Sequence, residues 1–203
     1  MSAAGKVFVA DSFNHRVQVF SAEGALVRGA FGSEAAAAGE LSYPWGVAVS
    51  ATGEAFVAEF CNHRVSVFRG SDGTFLCAFG GPGSGDGQLS SPRAVVMSAA
   101  GEVFVADYDN RRVCVFRGAD GAFLRAFGCF DGKRIPQTPV GVAVTAAGEV
   151  VVAGFAAKWV PVCVVYRAAD GAFLREFPAS GSLAVGARGE VVVAEGGRVR
   201  IFE

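Results

Sequence analysis

The chain has 203 residues, 52% of them hydrophobic, and a formal net charge of −1 from 18 basic and 19 acidic side chains. That length buries a real core within one domain, and the near-neutral balance removes the global attraction that would draw a chain to nucleic acid or to an anionic membrane surface. Twenty-eight glycines and eighteen phenylalanines against 18% charged residues describe short buried strands joined by glycine turns.

The five cysteines, Cys61, Cys77, Cys114, Cys129 and Cys163, include no C-x-x-C pair. They read as small core residues of a reduced compartment, not as zinc or redox ligands. The N-terminus MSAAGKVFVADSF has no basic segment followed by a long apolar one. The longest apolar run, Trp159 to Tyr166, contains a proline and falls far short of the ~20 residues of a membrane helix. A cytoplasmic protein without membrane association is the expectation.

In chain order the residues fall into five repeat units, approximately 1–43, 44–91, 92–138, 139–181 and 182–203, read as a single domain. The first opens Met1-Ser2-Ala3-Ala4-Gly5, which matches Met97-Ser98-Ala99-Ala100-Gly101 closely enough to place Met1 at the end of a strand whose earlier residues are missing. The second and third units are complete. In the third, PRAVVMSAAGEVFVADYDNRRVCVFRGADGAFLRAFG from Pro92 to Gly128, four apolar runs are separated by turn residues and predict four antiparallel strands. The fourth unit drifts: Ala153-Gly154-Phe155-Ala156-Ala157-Lys158-Trp159-Val160-Pro161 carries three extra residues before its third strand and lacks the usual acid, Asn and Arg. The fifth supplies three strands, Leu183 to Val185, Glu190 to Ala194 and Arg198 to Phe202.

Gly5, Gly53, Gly101, Gly148 and Gly189 keep the register at spacings of 48, 48, 47 and 41 residues. Four-stranded meanders in tandem predict an all-β fold, a β-propeller of four-stranded antiparallel blades. About five blades are represented, the first and last incomplete, and eighteen strands are expected. That count is compatible with part of a six-bladed propeller or with an open five-bladed arc.

The pattern P-x-G-V-A-V, G-x-V-F-V-A-D, N-H-R-V-x-V-F and F-L-x-x-F-G resembles the NHL repeat family. Pro44, Trp45, Gly46, Val47, Asn62, His63 and Arg64 match it closely, with Arg in place of the eponymous Leu at Arg16, Arg64 and Arg112. The resemblance covers essentially the whole chain and weakens after Gly154. It implies a propeller, usually of six blades, that works as a protein- or peptide-binding scaffold. In the family such propellers often follow RING, B-box and coiled-coil segments as the substrate-recognition part of ubiquitin ligases, and none of those segments occurs in these residues. Other relatives include amidating lyases and lactonase-like hydrolases with a metal at the central channel, and propellers that bind single-stranded RNA.

Three polar sets recur: Asp11 with Asn14 and Arg16, Glu59 with Asn62 and Arg64, Asp107 with Asn110 and Arg112. In each, an acid ends the second strand, an Arg begins the third, and an Asn caps the turn between them. A feature present in every good repeat builds the repeat. His15 and His63 share one slot in successive units, too few ligands for zinc. The innermost strands read GVAVS, AVVMS, GVAVT and LAVGA, small and apolar, so no catalytic residue, cofactor or metal is expected at the channel.

In an up-and-down blade the turns alternate sides, so the inter-blade loops and the loops between second and third strands share one face. That face carries the variable segments Ser33 to Tyr43, Gly81 to Ser91, Cys129 to Thr138 and Gly154 to Pro161, where function on a regular scaffold usually lives. It holds nine bases and nine acids, a balance that argues against RNA. Trp45, Arg93, Phe130, Lys133, Arg134, Lys158 and Trp159 are the expected contact residues, because Trp and Arg on exposed loops anchor interfaces.

Overall fold

A computed structural model describes residues 5–32, 37–128, 138–155, 160–178, 182–185, 191–195 and 198–202. These form eighteen strands in five antiparallel sheets, the number expected from the repeats. Sheet one is β1 (Val7–Asp11), β2 (Arg16–Phe20) and β3 (Leu26–Phe31). Sheet two is β4 (Pro44–Val49), β5 (Glu54–Glu59), β6 (Arg64–Arg69) and β7 (Phe75–Gly80). Sheet three is β8 (Pro92–Met97), β9 (Glu102–Asp107), β10 (Arg112–Arg117) and β11 (Phe123–Phe127). Sheet four is β12 (Thr138–Val144), β13 (Glu149–Phe155), β14 (Pro161–Arg167) and β15 (Phe173–Phe177). Sheet five is β16 (Ser182–Val185), β17 (Val191–Glu195) and β18 (Arg198–Phe202). In every sheet the strands pair in sequence order, each with the next, as β-propeller blades do. Among the described residues no helix is long and apolar enough to cross a membrane.

The core lies between blades. Successive side chains on a strand point to opposite faces. In β5, Ala55 and Val57 therefore pack with Val17, Val19 and Phe31 of the first blade, while Phe56 and Ala58 pack with Val103, Val105 and Phe116 of the third. Phe104 and Ala106 of β9 continue the pattern against Val150, Val152 and Tyr166 of the fourth. Both faces are covered, which is why the second and third strands read as unbroken apolar runs.

One aromatic contact is written three times. The last phenylalanine of a blade's outer strand leans on an aromatic of the next blade's third strand: Phe31 on Phe68 at 4.8 Å, Phe79 on Phe116 at 4.8 Å and Phe127 on Tyr166 at 5.3 Å between centroids. Gly121, at φ +70°, lies flat on Phe79, where a Cβ would come within 2.7 Å of the Phe79 Cβ. Glycine is thus needed there both for the left-handed turn and for the close approach.

An ion pair within the third blade also reaches the fourth. Arg125 holds the Glu102 carboxylate with two hydrogen bonds of 2.7 and 2.9 Å and also donates to the Ala168 carbonyl of the next blade at 2.6 Å. Those bonds hold Glu102 below the ordinary glutamate value of 4.5. A carboxylate depressed in the folded state stabilises above its unfolded value and loses that contribution as pH falls through the folded one. With both partners about a quarter exposed, the effect is about 0.5–1 kcal/mol. Glu102→Gln should therefore unfold at lower denaturant than the parent at pH 7, and the two midpoints should converge below pH 4.5. A difference that persists unchanged into acid would show that the carboxylate charge is not what the pair contributes.

The five cysteines do not share one environment. Cys114 and Cys163 are buried on third strands, as expected of core residues, but Cys61 and Cys77 are exposed. Cys61 sits in the turn after β5 and Cys77 on outer strand β7, most of whose side chains face solvent. Partial burial, with the Glu54 charge second, raises the Cys77 thiol above its ordinary value. Cys129 lies outside the described residues.

Candidate functional site

The recurring polar sets form clasps that close on the inter-blade loops. Glu59, fully buried at the end of β5, accepts from Asn62 Nδ2 at 2.6 Å, Arg64 Nε at 2.7 Å, Ser66 Oγ at 2.5 Å and the Ser42 backbone N–H at 3.0 Å. Arg64 then donates to the carbonyls of Ala37 and Glu40 at 3.0 and 3.1 Å. The third blade repeats the arrangement: Asp107 accepts from Asn110, Arg112 and the Ser90 N–H at 2.8, 2.7 and 2.6 Å. Its Arg112 reaches the carbonyls of Gly85 and Gln88 at 2.9 and 2.8 Å. In the first blade Asp11 accepts from Asn14, Arg16 and Gln18, each at 2.8 Å.

The preceding blade grips the same loops from the other side. His15 and His63, both left-handed at φ 52°, accept the backbone N–H of Tyr43 and Ser91 through Nδ1 at 3.2 and 3.0 Å. The two histidines therefore serve two different loops. Among the described residues no cluster of three or more His, Cys, Asp or Glu side chains could hold a metal ion.

The clasps revise the reading of the loops. Ser33 to Tyr43 and Gly81 to Ser91 look variable along the chain, yet both end in the same plug. Leu41 and Leu89 are fully buried in the cores between blades, and the residues around them are held by the clasps. Only the outer parts of these loops are free to vary. The signal was the pair Gly39-Glu40-Leu41-Ser42 and Gly87-Gln88-Leu89-Ser90, hidden because the loops between them and the preceding strands differ.

On the same face the structure assembles a cluster of rings around one cation. Trp45 and Arg93 are the second residues of innermost strands β4 and β8, and Phe60 and Tyr108 follow the clasp acids Glu59 and Asp107. The Arg93 guanidinium carbon lies 3.7 Å from the Tyr108 ring centre, 4.8 Å from Trp45 and 5.6 Å from Phe60. Gly46 makes this approach possible, since a Cβ there would stand 2.8 Å from the Arg93 carbonyl oxygen and 3.0 Å from the Ala94 Cα, both backbone atoms. Trp45 is 44% exposed, so it stands at the surface of the seam and not in the core between blades.

The electrostatics of Arg93 differ from those of its neighbours. Arg16, Arg64 and Arg112 pair with Asp11, Glu59 and Asp107 at 2.8, 2.7 and 2.7 Å, and Arg93 enters none of these pairs. Its Nε is shut off from solvent and has no hydrogen-bond partner among the described residues. Three ring faces contribute about 0.5–2 kcal/mol, and the side chain as a whole is only partly buried. The guanidinium is thus held by ring faces and, among the described residues, is paired with no carboxylate.

The opposite face carries a cleft of about 740 Å³ whose lining includes Ser50, Thr52, Glu54, Met97 and Arg117. Its charged groups are already engaged: Glu54 accepts from Ser50 and Thr52 at 3.2 and 3.0 Å, and Arg117 pairs with Asp120 at 2.9 Å.

Of the expected contact residues, Trp45 and Arg93 come together in the ring cluster. Phe130, Lys133, Arg134, Lys158 and Trp159 lie outside the described residues. Phe60 and Tyr108 were not singled out from the sequence. Their signal was the slot after the strand-ending acid, which reads Ser12, Phe60 and Tyr108 in successive units.

Residues 41–68 match the family model described as NHL repeat, a span that holds Leu41, Trp45, Gly46 and the whole Glu59–Asn62–Arg64 clasp. No curated protein matches the chain. Among solved structures, Kuenenia stuttgartiensis hydrazine synthase superposes with a TM-score of 0.72 at 14% identity, covering 95% of this chain and 53% of that one. At that identity the likeness is one of fold, and this chain spans about half the length of the solved one. Residues 41–68 thus resemble an NHL repeat, and the described residues around them fold as consecutive blades of a β-propeller.

Proposed function

We propose that this chain is a non-catalytic scaffold, at work in the cytoplasm, that binds a protein or peptide through its loop-rich face. The observation that carries the reading is the ring cluster, in which an exposed Trp45 stands beside Phe60, Tyr108 and a half-buried Arg93 at the starts of two innermost strands. Aromatic and Arg side chains of this kind supply most of the energy of protein interfaces, and here they sit on a rigid sheet edge. The clasp acids are consumed in holding loops, which leaves the cluster as the part of the described face with unused recognition chemistry. Within a longer protein, such as a ubiquitin ligase, the same face would select the substrate.

Panning a random peptide display library on the purified chain tests this. Enriched peptides should bind in solution, and Trp45→Ala should weaken them by about 2 kcal/mol with the thermal midpoint unchanged. Absence of any enriched peptide, or binding indifferent to Trp45, would remove the reading.

A further inference from the structure

We propose, building on that reading, that Arg93 is the receptor for a carboxylate, so that the segment bound by this face is acidic. Stacking on Tyr108 at 3.7 Å occupies the flat face of the guanidinium and leaves its N–H edge for a ligand. A planar fork of donors fits a carboxylate with two parallel hydrogen bonds. Trp45, Phe60 and Tyr108 fix the group, so little rotamer freedom remains to be lost on binding. The Nε has no hydrogen-bond partner among the described residues, so a carboxylate at the outer edge of the guanidinium would answer charge that the protein leaves unpaired there.

A nucleic-acid strand is the less suitable occupant, because its backbone presents a row of phosphates and calls for a row of cations. The neighbouring guanidiniums Arg64 and Arg112 are committed to acids and to loop carbonyls. Arg111, on the exposed surface, is already solvated. Among the described residues, one guanidinium set among rings and outside every ion pair suits one acidic side chain next to apolar residues.

The experiment takes the peptides enriched on the parent chain, labels the consensus peptide with fluorescein and follows its anisotropy. An Asp or Glu should recur beside apolar residues. Changing it to the amide should weaken binding by about thirtyfold. Arg93→Gln should do the same, the two changes together should cost no more than either alone, and Arg93→Lys should recover part of the affinity. The peptide-side change works on the parent protein, so it remains decisive even where an Arg93 variant folds poorly. Peptides that lack an acid, ignore Arg93→Gln and still need Trp45 would overturn the carboxylate while leaving peptide binding intact. Failure to enrich any peptide would overturn both. Arg93-dependent binding of labelled oligouridylate that falls steeply with salt would overturn the carboxylate in favour of nucleic acid.

Discussion

Glu59→Ala is expected to lower the free energy of unfolding by about 3–5 kcal/mol, the range for removing one partner of a buried ion pair. The carboxylate is fully buried and receives four hydrogen bonds, from Asn62, Arg64, Ser66 and the Ser42 backbone. Alanine leaves all four donors facing a cavity, and Arg64, 19% exposed, has little access to solvent in exchange. Asp11→Ala is the internal control: Asp11 and Arg16 are 18% and 41% exposed, so water replaces most of what is lost and a much smaller loss is expected. Urea unfolding of the two variants separates the cases. Equal losses would mean that burial of the clasp does not set its worth. Hydrogen exchange should also report faster exchange at Ser42 in Glu59→Ala, since its N–H loses its acceptor.

Phe116→Ala is expected to cost about 3–5 kcal/mol by opening a cavity between the second and third blades. Phe116 is 1% exposed, stands 4.8 Å from Phe79 of the preceding blade and 5.9 Å from Phe123 of its own, and shares its cluster with Phe56, Val65 and Val103. Because blades in such an array are coupled chiefly through neighbour interfaces, the loss should also reduce cooperativity. Denaturant unfolding should show a lower midpoint together with a shallower slope. A lowered midpoint with an unchanged slope would mean that the blades still unfold as one unit after the contact is cut.

The parts of this protein readable from the chain were those that depend on neighbours in sequence. Strand alternation, turn glycines and the spacing of Asn14, Asn62 and Asn110 are local, and they led directly to eighteen strands in blades of up to four. The acid–Asn–Arg sets were visible for the same reason, as three residues within one tight connection. Their second set of partners was not: Ser42 lies 17 residues before Glu59, and Ala37 lies 27 before Arg64, across a loop of irregular length. No local pattern specifies which carbonyl a guanidinium meets after a loop of that kind.

The ring cluster was still less accessible. Trp45 and Arg93 were recognisable as interface types, but Phe60 and Tyr108 look like ordinary turn residues until two blades are set side by side. Their meeting depends on β4 and β8 packing closely at Gly46, and on the turns after β5 and β9 placing Phe60 of the preceding blade and Tyr108 of Arg93's own blade against the same guanidinium. Spacing along the chain carries the blade, because a meander is closed by consecutive hydrogen-bonded strands. The ring cluster is built between blades, with Trp45 and Arg93 48 residues apart in the chain, so only their packing in three dimensions brings it into being.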